Sequence, residues 1–578
     1  MCGIAGIVHL AGGALERLGR ARQMSLRLRH RGPDGEGEFL DRQVVLEHRR
    51  LALVDPAGGA QPVQTADGRF TLVYNGELYD HEELRRHLPY PFRTRSDAET
   101  LLAAYAAWGA DCLPRLNGMF AFFVWDARQQ RGFAARDPLG VKPFAYRWSD
   151  GELAFASEAQ ALAHTVPRAA RPRHAAILEY LVAPFFSGVE APVFEGLEYL
   201  QPGHCLEIDA RGLRLHRYFR YRVAREAGER PEPDALRQAF TRAVRRCARA
   251  DAPLGTFLSG GLDSTAIAAV AGPALPAFTV AFEGMERYDY SRSLIVGSDD
   301  RPLAEHAARE LRLALQPVEI PRRDLAADLE RVACTNDALP AWEQEIAQDR
   351  LARAAAAQVK GVLVGDAADE THFGYHFLLD GAATASPRAI LERFGPAPIR
   401  RDVLADPLDH FDRRYRAWVP PGGDPPERTA GTAELVVERW LPRLLHNGDV
   451  HAMRSSLEAR VPFADRELLA LAQGVPPGVA LAGGVEKAHL RDALRGLVPE
   501  AVRVRRKSAL PKDQAAEPTY RREAARLLRE PPALLRELVD LARIERRLAS
   551  PEPLSESERA VLFRLICLTH FCRHHGFA

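Results

Sequence analysis

Pro253-Leu254-Gly255-Thr256-Phe257-Leu258-Ser259-Gly260-Gly261-Leu262-Asp263-Ser264 is the stretch whose reading decides the fold. The apolar run to Leu258 reads as a buried strand, the paired glycines as a tight turn, and Thr265 to Val270 as a helix. Such a turn aims backbone N–H groups and the positive end of a helix at one point, where an anion is stabilised. Ser259 and Ser264 add hydroxyl donors, and Asp263 is placed to hold a magnesium ion that offsets phosphate charge. The Gly-Lys-Ser/Thr ending of a Walker A loop is absent.

Around this stretch, from Ala235, helix, strand, Gly-rich turn, helix and strand succeed one another, the pattern of an α/β domain with a parallel sheet. Helical patterns over 432–445, 465–473, 485–496 and 518–575 give it a helical C-terminal region, and 235–578 reads as one domain. Pro and Gly cluster between Pro387 and Pro426 as an irregular insertion. Residues 213–234, charged and Pro-containing, read as a linker.

Residues 1–212 have a different pattern. Short apolar runs at Gly3–Val8, Val44–Leu46, Phe70–Tyr74, Met119–Trp125, Gly132–Ala135 and Leu153–Ala156 read as strands. Gly32-Pro33-Asp34-Gly35, Ala66-Asp67-Gly68 and Asn75-Gly76 read as the turns between them. Helical periodicity appears at 97–108 behind a cap at Ser96. Many short strands with few helices predict a layered, sandwich-like α+β domain.

The 578 residues are too many for one ordinary core. A net charge of +1 gives no electrostatic case for nucleic acid or a membrane surface. Lys occurs only at 142, 360, 487, 507 and 512, so the basic side is nearly all Arg. No apolar run reaches transmembrane length, and no secretory signal opens the chain. The seven cysteines are scattered, which predicts a reducing, cytoplasmic setting. Cys567, His570, Cys572, His574 and His575 lie in one helix-like run without metal-ligand spacing and read as structural or solvated residues.

Cys2, behind the initiator Met, is a candidate nucleophile. Removal of Met1 leaves a residue whose α-amine can serve as base for its own thiol. Amide hydrolysis also needs an oxyanion hole and grips on the substrate's carboxylate and ammonium. Asn75 and Gly76 offer a side-chain amide and a backbone N–H at a tight turn. Arg50 can clamp a carboxylate and Asp97 can hold an ammonium.

With their flanks these residues resemble the N-terminal-nucleophile (Ntn) glutaminase domain of class II glutamine amidotransferases. The matching stretches are Met1-Cys2-Gly3-Ile4-Ala5-Gly6, Arg29-His30-Arg31-Gly32-Pro33-Asp34-Gly35, His48-Arg49-Arg50-Leu51, Tyr74-Asn75-Gly76-Glu77 and Arg136-Asp137-Pro138-Leu139-Gly140. The resemblance implies an αββα layered fold in which Cys2 attacks the side-chain amide of glutamine and releases ammonia. It implies Arg50, Asn75, Gly76, Glu77 and Asp97 as the glutamine-binding set, with Asn75 and Gly76 also catalytic.

The Ser259–Ser264 loop resembles the pyrophosphate loop of ATP pyrophosphatases (adenine nucleotide α-hydrolase-like), and 235 to about 512 resembles the synthetase domain of glutamine-hydrolysing asparagine synthetases and the related β-lactam synthetases. Val362-Leu363-Val364-Gly365-Asp366-Ala367-Ala368-Asp369-Glu370, Leu457-Glu458-Ala459-Arg460-Val461-Pro462-Phe463-Ala464-Asp465, Glu486-Lys487-Ala488-His489-Leu490-Arg491 and Arg505-Arg506-Lys507 carry this resemblance. It implies ATP binding by Leu258, Ser259, Gly260, Gly261, Asp263, Ser264, Val280 and Gly365, Mg2+ on Asp263 and Asp369, and catalytic roles for Asp366 and Lys487.

The second loop departs from the asparagine synthetase pattern, which usually reads Ser-Gly-Glu-Gly-Ser/Ala-Asp-Glu. Val364 replaces the Ser, Asp366 the Glu, Ala367 and Phe373 stand at glycine positions, and Asn447 replaces a common Lys. At Asp366 a carboxylate survives with its reach cut by about 1.5 Å. The stretch Arg287 to Asp300 reads as an insertion after the adenine strand.

The expected function is therefore a glutamine-dependent, ATP-consuming carbon–nitrogen ligase. It adenylates a carboxylate, with release of diphosphate and then AMP, and aminates it with glutamine-derived ammonia. The partners are glutamine and a carboxylate acceptor, aspartate or a specialised metabolite; a homodimer is left open. One alternative is an intramolecular amide-forming enzyme, a lactam synthetase or peptide cyclase, which would not need the Cys2 set. Another is a non-catalytic glutamine or nucleotide sensor, supported only by the altered Asp366 loop.

Overall fold

The computed structural model describes residues 2–577 apart from 166–170, 226–231, 291–296, 336–338, 382–383, 394 and 420–421. Twelve strands build the N-terminal half. They are β1 (Cys2–His9), β2 (Gly35–Leu40), β3 (Val44–Arg50), β4 (Val63–Gln64), β5 (Phe70–Leu78), β6 (Gly118–Asp126) and β7 (Arg131–Arg136). After them come β8 (Ala145–Ser149), β9 (Glu152–Ala156), β10 (Glu198–Tyr199), β11 (His204–Asp209) and β12 (Gly212–Arg217). One sheet runs β10-β8-β9-β1-β3-β2 and the other β12-β11-β7-β6-β5-β4.

Strand periodicity explains why these sheets stack. β6 is buried along its whole length. Phe120, Phe122 and Val124 point to one face, where Leu101, Leu102 and Tyr105 of a helix spanning Asp97–Trp108 cover them. Ala121, Phe123 and Trp125 point to the other, against Ile4, Val8, Val44 and Leu46 of the first sheet. Ala5, Ile7 and Val45 face outward from that sheet onto Ala14, Ala21 and Met24 of α1 (Ala14–Arg27). Helix, sheet, sheet and helix make four layers, with α2 (Asp97–Trp108) outermost on the far side.

The C-terminal half is built on a parallel sheet of β13 (Leu254–Phe257), β14 (Ala277–Phe282), β15 (Leu315–Ile320), β16 (Gly361–Leu363) and β17 (Glu458–Arg460), ordered β15-β14-β13-β16-β17. The order reverses between β13 and β16, and in open α/β sheets ligands bind outside the carboxyl ends of strands at such a point. The loops leaving those two strands are Leu258–Ser264 and Val364–Glu370, so strand order brings the two candidate loops together. Helices used below are α3 (Leu262–Ala271), α4 (Leu441–Arg454), α5 (Ala488–Ala493) and α6 (Glu556–His575).

The two halves share a buried interface. Leu51 and Leu53 pack on Leu254 and Met453. Arg460 at the end of β17 is fully buried; its guanidinium meets Glu77 of β5 at 3.2 Å and Glu458 at 2.6 Å. Asn117 donates to Asp465 at 2.8 Å.

Three sequence readings are corrected. Asn75-Gly76 is no turn: both residues lie inside β5, opposite Ala121 and Phe120 of β6. The linker begins later than 213, because β12 runs to Arg217 and pairs with β11; residues 226–231 of the expected linker lie outside the described residues. The 387–426 segment is partly regular, with helices at Pro387–Arg393 and Pro407–Tyr415. Of the insertion read at Arg287 to Asp300, residues 291–296 lie outside the described residues. No helix among the described residues is long and apolar enough to cross a membrane.

Candidate functional sites

Cys2 lies at the start of β1, directly opposite Arg50 in β3. Its backbone N–H donates to Asn75 Oδ1 at 3.1 Å. That contact orients the amide and leaves Asn75 Nδ2 buried and without a partner, a donor aimed into the site. An unpaired buried donor is costly, and a substrate oxyanion beside it would recover the loss. Gly76 follows where the backbone is crowded: a Cβ there would stand 2.3 Å from Met119 O and 2.8 Å from Phe120 Cα. Any side chain would push β5 off β6.

Arg50 is anchored rather than loose. Nη1 donates to Pro56 O and Nη2 to Asp55 O, both at 2.7 Å, so the loop after β3 sets the guanidinium's direction. Asp97, first residue of α2 behind the Ser96 cap, accepts from Tyr74 Oη at 3.0 Å and Leu78 N at 3.1 Å. Glu77 differs from its companions, since its carboxylate is engaged by Arg460 across the interface. Burial pushes the Cys2 thiol up, the Leu51 backbone amide pulls the other way, and Glu458 and Asp97 reinforce the rise. A thiol so raised rests protonated and needs a base within reach.

At the second site the loop after β13 curls about two hydroxyls. Ser259 N donates to Ser264 Oγ at 3.2 Å, the two Oγ atoms lie 3.0 Å apart, and Gly261 N donates to Ser259 Oγ at 3.3 Å. Gly260 sits at φ 67, and a Cβ there would be 2.5 Å from Ala304 N. α3 begins at Leu262 with no side-chain cap, leaving its first-turn N–H groups for an anion. Val280 is buried in β14, next to β13, and Leu258 N donates to Phe278 O at 2.8 Å. Gly365 lies against the same loop, where a Cβ would come 3.3 Å from Asp263 Cβ.

Lys487 joins the two loops. Its Nζ lies 2.5 Å from Asp263 Oδ2 and 2.6 Å from Asp369 Oδ1. Lys507, a residue the sequence quoted only as part of a motif, makes a further ion pair with Asp369. Against the penalty of burial, Lys487 and Lys507 hold Asp369 well below the usual carboxylate range, and Asp369 with Asp263 holds Lys507 up. Burial pushes Asp366 up to about 6, with Lys507 opposing and Asp369 adding to the rise. Glu370 is raised to about 7 by burial and by Asp369, and it takes the Tyr375 hydroxyl. Asp263 Oδ1 is buried without a partner, and with the Asp369 carboxylate nearby this is an oxygen donor set that suits a hard divalent cation.

The departures of the second loop have a structural counterpart. Ala367 and Phe373, standing at glycine positions of the pattern, have φ 70 and 60, and Lys487 has φ 55. This left-handed region disfavours side chains and is tolerated where surroundings enforce it. Gly448 of α4 faces Asp366: a Cβ there would lie 3.3 Å from its Oδ2. The Cys567–His575 set lies along the single helix α6, with Cys567 and Cys572 buried. Arg31, Lys142 and Asp449 have no role in the sequence reading; they are ordinary charged residues whose partners lie up to 418 positions away.

Comparison with known proteins assigns both halves of the chain to families. The glutamine amidotransferase domain family matches residues 1–219 and the asparagine synthase family residues 235–569. Asparagine synthetase [glutamine-hydrolyzing] 3 of Bacillus subtilis (strain 168) is 31% identical over 549 residues, covering 90% of this chain and 88% of the relative. Asparagine synthetase [glutamine-hydrolyzing] 1 of the same organism is 28% identical over 567 residues, covering 88% and 87%. Among solved structures, glutamine phosphoribosylpyrophosphate amidotransferase from B. subtilis is 20% identical, covers 47% of this chain and 63% of its own, and overlaps with a TM-score of only 0.28.

The fold and its two sites define a glutamine-dependent, ATP-driven amide-forming ligase. More particularly, the chain belongs to the asparagine synthase family, with a glutamine amidotransferase domain ahead of the synthase domain.

Proposed function

We propose that the protein hydrolyses glutamine at Cys2 and uses the ammonia to convert aspartate to asparagine at the loops after β13 and β16. In the first half-reaction the Cys2 amine takes the thiol proton and Sγ attacks the amide carbon. Asn75 Nδ2 and Gly76 N–H stabilise the oxyanion, while Arg50, Glu77 and Asp97 hold the amino-acid end. Ammonia leaves and water releases glutamate. In the second, the acceptor carboxylate attacks the α-phosphorus of ATP, diphosphate departs, and ammonia displaces AMP from the acyl adenylate. The Leu258–Ser264 loop and Gly365 hold the phosphates, Val280 lines the adenine side, and Lys487 offsets developing negative charge. Asp366 takes the proton shed by the attacking ammonia. Asp263 and Asp369 would hold Mg2+, which supplies charge neutralisation on the phosphates.

The observation that carries this reading is Lys487 bridging Asp263 and Asp369, which makes one site of two loops separated by about a hundred residues. Aspartate is favoured by the relatives' printed names. A different carboxylate is the second reading, favoured by the shortened Asp366 and the side chains at 367 and 373. The free cysteines suit a reducing cytoplasm. Incubation with ATP, magnesium, amide-15N glutamine and a panel of carboxylates, followed by mass, tests both. Label in asparagine with AMP release supports aspartate; label in another amide supports the second reading. An unlabelled lactam, or no AMP with any acceptor, overturns the proposal.

A further inference from the structure

Cys2 is held from behind by a residue that answers to the other half of the chain. The Arg31 guanidinium uses all its edges: Nε donates to Cys2 O at 3.2 Å, Nη1 to Glu158 Oε1 at 3.0 Å, and Nη2 to Asp449 Oδ2 at 2.7 Å. Asp449 belongs to α4, in the synthase domain, and its second oxygen takes Lys142 Nζ at 3.3 Å. Glu158 also meets His30 Nε2 at 2.8 Å. The side chains of Arg31, Lys142, Glu158 and Asp449 are at most 1% exposed, so no water replaces a lost partner. Two cations and two carboxylates balance within this cluster.

We propose that Asp449 is a positioning residue for glutamine hydrolysis, acting from the synthase domain through Arg31 on the Cys2 carbonyl. A guanidinium is a rigid planar fork whose direction is set by the balance of its three acceptors, and replacing the charged contact to Asp449 with a neutral one of about half the strength lets the fork swing toward Glu158. Cys2 is bounded on one side by Arg31 at its carbonyl and on the other by Asn75 at its nitrogen. Turning Arg31 releases the first of these restraints and lets the residue shift against the Asn75 donor. A shift of about 1 Å at a reacting atom is enough to cost some hundredfold in rate. Asp449 bonds to Arg31 and Lys142, and it reaches Cys2 through the first of them.

The proposal rests on the glutaminase reading above and is tested in the full-length protein by Asp449→Asn, with glutamate release and ammonia-dependent amidation measured separately. The expected result is a ten- to hundredfold fall in kcat for glutamate release, KM for glutamine within about twofold, and ammonia-dependent amidation within about twofold. Asp449→Glu should recover most of the loss. A residue that merely stabilises its own domain would instead lower the ammonia-dependent reaction of that domain. Should the Asn variant not fold, Arg31→Lys decides: it keeps the charge but cannot span three acceptors, and should give the same selective loss. Both activities falling together, or glutamate release unchanged in either variant, overturns the proposal. Wild-type protein that releases no glutamate would instead remove the glutaminase reading itself.

Discussion

The Asn75 side chain accepts the Cys2 backbone N–H at 3.1 Å and presents its own unpaired Nδ2 to the same space. Position and donor are thus fixed by one contact. Asn75→Ala should lower kcat for glutamate release about 10²–10³-fold, as loss of one oxyanion donor does elsewhere. Ammonia-dependent amidation should be untouched. Equal loss of both activities would show that Asn75 serves the fold alone.

Lys487 separates two buried carboxylates, so Lys487→Met leaves Asp263 and Asp369 facing each other without the cation. Diphosphate exchange into ATP, dependent on the carboxylate acceptor, should fall by about a hundredfold or more, equivalent to about 3 kcal/mol of transition-state stabilisation. Glutamate release should persist. Exchange at the wild-type rate would remove Lys487 from the reaction.

Asp366 is raised to about 6 and must be ionised to accept a proton. Glutamine-dependent synthesis should therefore lose activity as pH falls through about 6, with full activity above it, and Asp366→Asn should be inactive throughout. Glutamate release from the other site should not share this limb. A synthesis profile flat from pH 7.5 to 5.5 would rule out Asp366 as the base.

Ala367 holds φ 70, where a Cβ crowds the backbone and glycine does not. Ala367→Gly should raise stability by about 0.5–1 kcal/mol, the left-handed penalty less the entropy a glycine loses on folding. Ala367→Val should lower it by more than that. Chemical denaturation of the full chain reads both, and a lowered midpoint for the glycine variant contradicts the account.

The layered half and the Gly-rich turn after β13 are legible in the sequence because both depend on local pattern. Alternation in β6 and the glycine turn after β13 are visible over a few residues, and they determine which faces meet and where uncapped helix N–H groups converge. Asn75-Gly76 was misread because the pair is the commonest hairpin turn by composition. Here Gly76 answers a demand from β6, which the local sequence does not contain. Arg31, Lys142, Asp449 and Lys507 stayed hidden for the same reason: a charged residue looks solvated until the chain brings its partner from hundreds of residues away. The Lys507 pairing with Asp369 spans 369 to 507, and no periodicity announces it.

Arg460 is sealed between Glu458 of its own domain and Glu77 of the other. A graft that moved residues 1–212 onto a foreign synthase would bury Glu77 opposite whatever stood at that place, and an uncompensated buried charge is costly. Exchange of either half of this chain is therefore expected to require matching charges at positions 77, 458 and 460. Chimaeras that carry β17 along with the glutaminase domain should yield soluble protein where simple fusions at the linker do not.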